Sequence, residues 1–449
     1  MTIHSEESTE VHPGRSRASL ATALGVAVPG VAIRMVRPDL PHPVDALLFG
    51  LAIVGAAFLL SWAAEVAQLD ISAGLAIALL ALIAVLPEYA VDFVFASKGG
   101  NSVQRFGASC PPLGGGSESP CSLALANMTG ANRLLIGIGW SMVVFIAWYR
   151  VRAVRRREGR PPGRWEGVRL GRDHSVELAY LAVATIYSLT LPLKHSITLL
   201  DSVILVGIFA AYTWRISRAP AQEPHLVGPA QYLGTLRTGA RRTTIVVLFV
   251  GAAAIILLCA EPFAESLVAS GEAVGISEFL LVQWLAPLAS EAPELLVAGL
   301  YAWRLNTNAG LGTLVSSKVN QWTLLVGTLP IVFAISSASL HGLPIEARQR
   351  EELFLTAAQS FFALAVLSNL SMSVREAWLL FGLFWAQFVV GAVLPEELHI
   401  VSRLGVGVVY LAGGGWILLR DRQRLRRLIR DGFLTSYAEL AAADAASRT

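Results

Sequence analysis

Twice in this chain a Pro-Glu pair stands inside an apolar run long enough to cross a lipid bilayer. The first stretch reads Leu86-Pro87-Glu88-Tyr89-Ala90-Val91-Asp92, the second Ser290-Glu291-Ala292-Pro293-Glu294-Leu295. Both residue types are costly there. A carboxylate at the middle of a bilayer costs roughly 2.5–3.5 kcal/mol on insertion scales. A proline within a helix removes a backbone hydrogen bond and frees the carbonyl four residues earlier, here that of Ile83 or Ala289. A free carbonyl beside a carboxylate is an oxygen-rich place for a hard cation. The two stretches therefore predict helices that meet and bind a metal ion within the membrane, with Glu88 and Glu294 as its ligands.

Composition agrees with that setting. Of 449 residues, 54% are hydrophobic and 15% charged, and the mean hydropathy is +0.58. Soluble domains carry about 25% charged residues, so the chain reads as an all-α integral membrane protein. A net charge of +3 is too small to point to nucleic acid. Met1 to Gly14 are polar, with Glu6, Glu7 and Glu10, and do not read as a cleavable signal peptide. The cysteines, Cys110, Cys121 and Cys259, lack metal-binding spacing. No cofactor is expected; the partners implied are the lipid bilayer and inorganic cations.

Apolar runs of about 20 residues, the length that spans hydrocarbon as a helix, place spans near 44–68, 71–97, 121–149, 176–192, 197–216, 243–270, 277–303, 309–334, 353–372, 376–394 and 399–419. A further run, 18–35, broken by Pro29 and carrying Arg34, reads equally as another span or as a helix lying at the interface. That predicts about eleven spans, or about twelve with the N-terminal run. Arginines crowd the loop 150–172, the segment 217–242 and the tail beyond 420, all on one side if these spans hold, and that side is expected to be the cytoplasm of a multi-pass cell-membrane protein. The loop 98–120 then faces outward, where Cys110 and Cys121 are either bridged or two free thiols.

The chain divides near 217–242 into two halves, each with a long apolar helix, a Pro-Glu helix and a third helix bearing Asn, Ser and Thr. The expected units are an N-terminal tail (1–43), a first repeat (44–216), a linker (217–242), a second repeat (243–395), and an added span with a basic tail (396–449). The lead-ins to the Pro-Glu helices match as well: Leu69-Asp70-Ile71-Ser72 and Val274-Gly275-Ile276-Ser277. Five spans per unit is an odd number, so the second copy is inverted relative to the first. The third helices, Ala126-Asn127-Met128-Thr129-Gly130-Ala131-Asn132 and Gly312 to Asn320, align once the Gly/Pro/Ser-rich stretch 101–120 is read as a loop insertion.

This pattern resembles the calcium/cation antiporter superfamily, the sodium/calcium-exchanger-like proteins. Their two α-repeats share a form close to G-T-S-L-P-E on one helix and G-N-x-x-G-S-N on the next. Leu86-Pro87-Glu88 and Ala292-Pro293-Glu294 stand at the first motif, and Asn127 to Asn132 at the second. The resemblance covers roughly 45–395 and implies an inverted-repeat transporter. Departures bear on the ion. Ala84-Val85 replaces Thr-Ser in the first copy, Ser290-Glu291 stands there in the second, and Gly-Ser-Asn becomes Ser316-Ser317-Lys318.

Glu88 and Asp92 project from one helix face at i and i+4, as do Glu291 and Glu294 at i and i+3. Ser316 shares a face with Asn320, and Ser317 with Gln321. Four carboxylates close together in a low dielectric cannot all stay ionised without a cation, so protons and metal compete for the same oxygens. That is the basis for exchange by alternating access, with the helices near 44–68 and 243–270 sliding past a rigid core. The expected ion and proton site comprises Glu88, Asp92, Asn127, Ser290, Glu291, Glu294, Ser316, Ser317, Lys318 and Asn320. Lys318 either offsets one carboxylate, favouring a monovalent ion or proton over calcium, or snorkels to the interface. The function expected is antiport of sodium or calcium against protons or each other. A cation channel or non-transporting ion sensor is the alternative. An enzyme is disfavoured, since no HExxH or Gly-x-Ser-x-Gly signature is present.

Overall fold

A computed structural model describes residues 13–36, 38–70, 86–107, 110–112, 118–159, 165–219, 226, 228–274, 277–393 and 396–448. Apolar runs become helices because a bilayer offers no partner to an exposed peptide group. In chain order the helices are α1 (Pro13–Val36), α2 (His42–Ala67), α3 (Leu86–Phe106), α4 (Pro120–Arg157), α5 (Ser175–Ser188), α6 (Leu199–Ile216), α7 (Pro229–Gly234) and α8 (Thr238–Val274). The second half continues with α9 (278–303), α10 (Thr307–Ser337), α11 (Ala347–Leu367), α12 (Val374–Val393), α13 (Glu396–Arg420), α14 (Arg422–Phe433) and α15 (Tyr437–Arg448). Eight of the described helices are long and apolar enough to cross a membrane. Residues 71–85, which hold Ile83, Ala84-Val85 and the lead-in Ile71-Ser72, lie outside the described residues.

Several boundaries differ from expectation for local reasons. The span expected to end near 97 runs on as α3 to Phe106, through Gly99 and Gly100. A side chain at Gly99 would come 2.8 Å from the Cys121 sulfur, and one at Gly100 would come 2.7 Å from the Phe333 carbonyl. These glycines permit close packing and do not mark a loop. Cys110 and Cys121 are bridged, tying the end of α3 to the start of α4. The basic tail folds into α14 and α15, and the linker contains α7.

The run near 18–35 forms α1, which lies antiparallel along α2. Gly55 admits the Ala23 carbonyl, Gly30 faces Ala52, and a Cβ at either glycine would approach to 2.5 Å. Small residues at such a contact let two backbones come close, the common device for helix pairing in lipid.

The inverted repeat is visible in the short strands. β1 (Val168–Arg169), after α4, pairs antiparallel with β4 (Ser371–Met372), after α11. β2 (Ser196–Ile197), after α5, pairs with β3 (Leu343–Pro344), after α10. Each ladder thus joins a loop of one half to the next loop along in the other. The two ladders lie at opposite ends of the bundle, as a pseudo-two-fold axis in the membrane plane requires.

The opening helices of the two halves, α2 and α8, pack along each other. At the Arg-rich end Arg241 grips Asp70 with Nε and Nη2 at 2.7 and 2.9 Å, and Arg242 adds a contact at 3.1 Å. The Arg241 hydrogen bonds hold the Asp70 carboxyl at about 2 against the opposing effect of burial. A depressed carboxylate contributes stability above its ordinary value of 3.8, and that stability is lost only as pH falls through about 2. Asp70→Asn should therefore lower the melting temperature in detergent, while the pH profile of transport keeps its midpoint. A shifted midpoint would place Asp70 in proton coupling.

Inside, α3 and α9 cross α4 and α10. Gly130 on α4 sits where a Cβ would fall 1.7 Å from the Gln283 carbonyl on α9. Gly130→Ala should cost about 1–3 kcal/mol of stability, as overpacking typically does, and would read out as a lowered melting temperature. An unchanged melting temperature would show that this crossing is loosely packed.

Candidate functional site

The four crossing helices carry the polar side chains inward. In α4 and α10 the regular ladder opens into one wide π-type turn, Leu135–Trp140 and Gln321–Leu325. These turns stand at the same offset from the two motifs: Leu135 from Asn127, and Gln321 from Thr313. Such turns re-aim side chains and are frequent at functional sites. Gln321 is the first residue of the second one and reaches between the Pro-Glu helices.

Gln321 joins the two halves. Its Nε2 donates to Glu88 Oε1 on α3 at 3.1 Å and also to Glu291 Oε1 on α9. Glu88 and Glu291 are 1% and 0% exposed. The carboxylate that meets Glu88 across the bridging amide is thus Glu291, not the motif residue Glu294. Asp92 is set apart, for Asn127 Nδ2 donates to its Oδ1 at 2.7 Å. Lys318 is fully buried and does not snorkel. Its Nζ donates to the Asn132 side-chain and backbone oxygens at 2.6 and 2.9 Å and lies 4.9 Å from the Trp322 ring centre. The expectation that it offsets a carboxylate meets a different geometry, since its direct acceptors are amide oxygens.

Glu294 faces a cavity of ≈ 480 Å³. Ser316, Ser317 and Asn320 line it from α10, Glu65 from α2, and Glu177 from α5. The mouth carries Gln68, Asp173 and Asn306, at the end of the bundle that holds the Arg-rich loop. Ser316 is tied to the wall by Tyr212 at 2.8 Å. Ser290 is buried and turned onto its own helix, donating to the Ala286 and Pro287 carbonyls.

The ten expected residues therefore fall into three groups. Glu88 and Glu291 meet. Glu294, Ser316, Ser317 and Asn320 line the cavity beside them. Asp92 with Asn127, Lys318 and Ser290 stand behind, each with partners of its own. Gln321 was marked in sequence only as sharing a face with Ser317, and its bridging role depends on two helices from other parts of the bundle. Asn132, as the acceptor for Lys318, carried no separate signal.

Several oxygens here have no hydrogen-bond donor among the described residues: Glu88 Oε2, Glu291 Oε2, Glu294 Oε2 and Gln321 Oε1. A buried carboxylate oxygen without a donor is tolerated only when a proton or a cation meets it. No three His, Cys, Asp or Glu side chains among the described residues form a ready metal cluster. The arrangement is thus a pair of acids plus amide and hydroxyl oxygens, the hard donor set that suits sodium or calcium.

Toward the opposite end the bundle holds charge pairs that line a second cavity. Buried Arg133 meets Glu352 at 2.6 Å, and Arg403 meets Glu351 and Glu352 at 2.9 and 3.0 Å. That cavity, ≈ 570 Å³, touches none of the four carboxylates of the Pro-Glu helices.

A family model described as sodium/calcium exchanger protein matches residues 44–217 and 244–393. Among solved structures, that of the H+/Ca2+ exchanger CAX is similar with a TM-score of 0.83 at 38% identity, over 96% of this chain and 100% of the other. The structure of native YfkE gives a TM-score of 0.55 at 13% identity over 88% and 99%, a likeness of fold alone. No curated protein matches the chain.

Proposed function

The chain belongs to the sodium/calcium exchanger protein family, and from that premise we propose that it is a calcium/proton antiporter working at Glu88 and Glu291. Antiport of cations is what the family and the 38%-identical exchanger carry; calcium and protons as the pair are our reading. One observation supports it most. A carboxylate from each inverted half meets at Gln321, and the outer oxygen of each lacks a donor among the described residues.

The chemistry follows from charge. When both acids are ionised, their repulsion in a low dielectric is relieved by a divalent cation between them, with Gln321 Oε1 as a neutral ligand. When protons arrive, the acids become neutral and the cation loses its counter-charge. Neither state leaves an uncompensated pair, so each ion's release is tied to the other's binding. The hydroxyls that would favour sodium are absent from the first copy, where Ala84-Val85 stands. The cavity that Glu294 lines extends to residues at the Arg-rich end, Gln68, Asp173 and Asn306. By the positive-inside rule that end is the cytoplasmic one, in a multi-pass protein of the cell membrane. Return to the other side requires α2 and α8 to shift against the four-helix core.

Flux in sealed proteoliposomes tests the reading. Calcium uptake should require an outward proton gradient, and each calcium entering should be matched by protons leaving. Uptake that proceeds down its own gradient with no opposing ion would indicate a channel and overturn exchange. Uptake driven by sodium and indifferent to pH would overturn the ion pair proposed.

A further inference from the structure

A smaller cavity of ≈ 180 Å³ lies at the Arg-rich end, away from the exchange site, between the start of α5 and α14. Guanidinium groups from two distant parts of the chain line it: Arg172, just before α5, and Arg424 and Arg427 on α14. Ser175, the first residue of α5, and Asn369, in the turn after α11, belong to the same wall. Ser175 is 1% exposed, and its hydroxyl has no hydrogen-bond partner among the described residues. The one carboxylate of the lining, Asp431, is already neutralised. Its oxygens face Arg172 at 4.0 Å and Arg430 at 3.5 Å, and Thr435 donates to it at 3.1 Å. Arg424 also reaches Asp421 at 2.5 Å, while Arg427 Nε has only a long contact, 3.5 Å, to the Gln423 carbonyl.

The wall is built and not incidental. A Cβ at Gly432 would come 2.3 Å from Ala179 and 2.8 Å from the Ser175 carbonyl, so α14 is pressed onto the first turn of α5. One residue, Asp421, separates α14 from the end of α13, the last helix of membrane-crossing length. Ile429 and Phe433 stay exposed on α14 among its arginines, the pattern of a helix lying in a membrane surface. The cavity therefore lies just beyond the last helix of membrane-crossing length, at the Arg-rich end.

We propose that this cavity binds a phosphate group. Three guanidiniums supply planar donor forks suited to phosphate oxygens, and the Ser175 hydroxyl supplies a further buried donor. The group is either a lipid headgroup or a soluble phosphate. Ser175 lies next to His174 and two residues from Glu177, both on the wall of the exchange cavity, so an occupant would hold the helix end that both cavities share.

The test uses the full-length protein purified in a neutral detergent, with Arg424→Gln/Arg427→Gln against Arg155→Gln/Arg156→Gln, which removes the same charge from the exposed end of α4. In one arm inorganic phosphate is titrated at constant ionic strength in chloride while the melting temperature is followed. In the other, phosphatidic acid retained after incubation with mixed phosphatidylcholine/phosphatidic acid vesicles is counted by native mass spectrometry. Wild type and the control pair should bind in at least one arm, and the Arg424/Arg427 pair should bind about tenfold more weakly or not at all. A response to inorganic phosphate identifies a soluble ligand; retention of phosphatidic acid alone identifies a headgroup. If neither probe separates the Arg424/Arg427 pair from wild type, or the control pair loses binding equally, the proposal fails. Arg172→Gln, on the opposite wall, should reproduce the loss and covers the case in which the double variant does not fold.

Discussion

Glu88→Gln and Glu291→Gln should each abolish calcium/proton exchange while leaving the protein folded and inserted. The amide keeps the shape of the carboxylate, and Gln321 can still reach it. What disappears is half the negative charge of the site. Removing one member of a buried charge set costs on the order of 3–5 kcal/mol, a factor of about a hundred to a few thousand in affinity or rate at about 1.4 kcal/mol per tenfold. Asp92→Asn supplies the contrast. Asp92 is paired with Asn127 at 2.7 Å and stands outside the Glu88–Gln321–Glu291 bridge, so its loss should be several-fold smaller. Initial rates of calcium uptake in proteoliposomes, normalised to inserted protein, check all three. Equal loss from Asp92→Asn and Glu88→Gln would mean that the acids act as one cluster.

Lys318→Asn should shift ion preference toward divalent cations by about tenfold or more, the scale of one lost charge interaction near a buried site. Lys318 Nζ is anchored on the Asn132 oxygens, which are amide oxygens and not a carboxylate. When protonated, it reduces what the two acids present to an incoming ion. The substitution also leaves the Asn132 oxygens without their donors, so melting temperature should be read alongside. A changed calcium-to-sodium ratio at unchanged stability assigns the effect to charge. An unchanged ratio with lowered stability would make Lys318 a strut for Asn132.

How far the sequence foretold this molecule depended on the range of the interactions involved. The spans were readable because burying apolar residues in lipid depends on run length alone, and the Pro-Glu pairs stood out because their cost within a span is large. The inverted repeat followed from matching lead-ins and an odd number of spans. Contacts between halves were not readable. Helical spacing places Glu88 with Asp92 and Glu291 with Glu294, but the partner of each is set by helices elsewhere in the chain. Asp92 went to Asn127, and Glu88 met Glu291 through Gln321, which α10 brings to that level. The end of α3 fell beyond the expected 97 for a related reason: Gly99 and Gly100 answer the close approach of Cys121 and α10 and keep the helix going. The two-residue strands are too short to leave any periodicity, and α14 looked like a bare run of charge until α5 gave its buried face a partner.

Protons and a metal ion are expected to displace one another from acids contributed by the two halves. Proton release on metal binding measures this most directly. Purified protein in detergent, at weak buffering and near-neutral pH, is titrated with calcium while a pH indicator records protons set free. Wild type should release protons in proportion to calcium bound, and Glu88→Gln/Glu291→Gln should release none. Calcium binding without proton release, or release that survives the double substitution, would contradict the account.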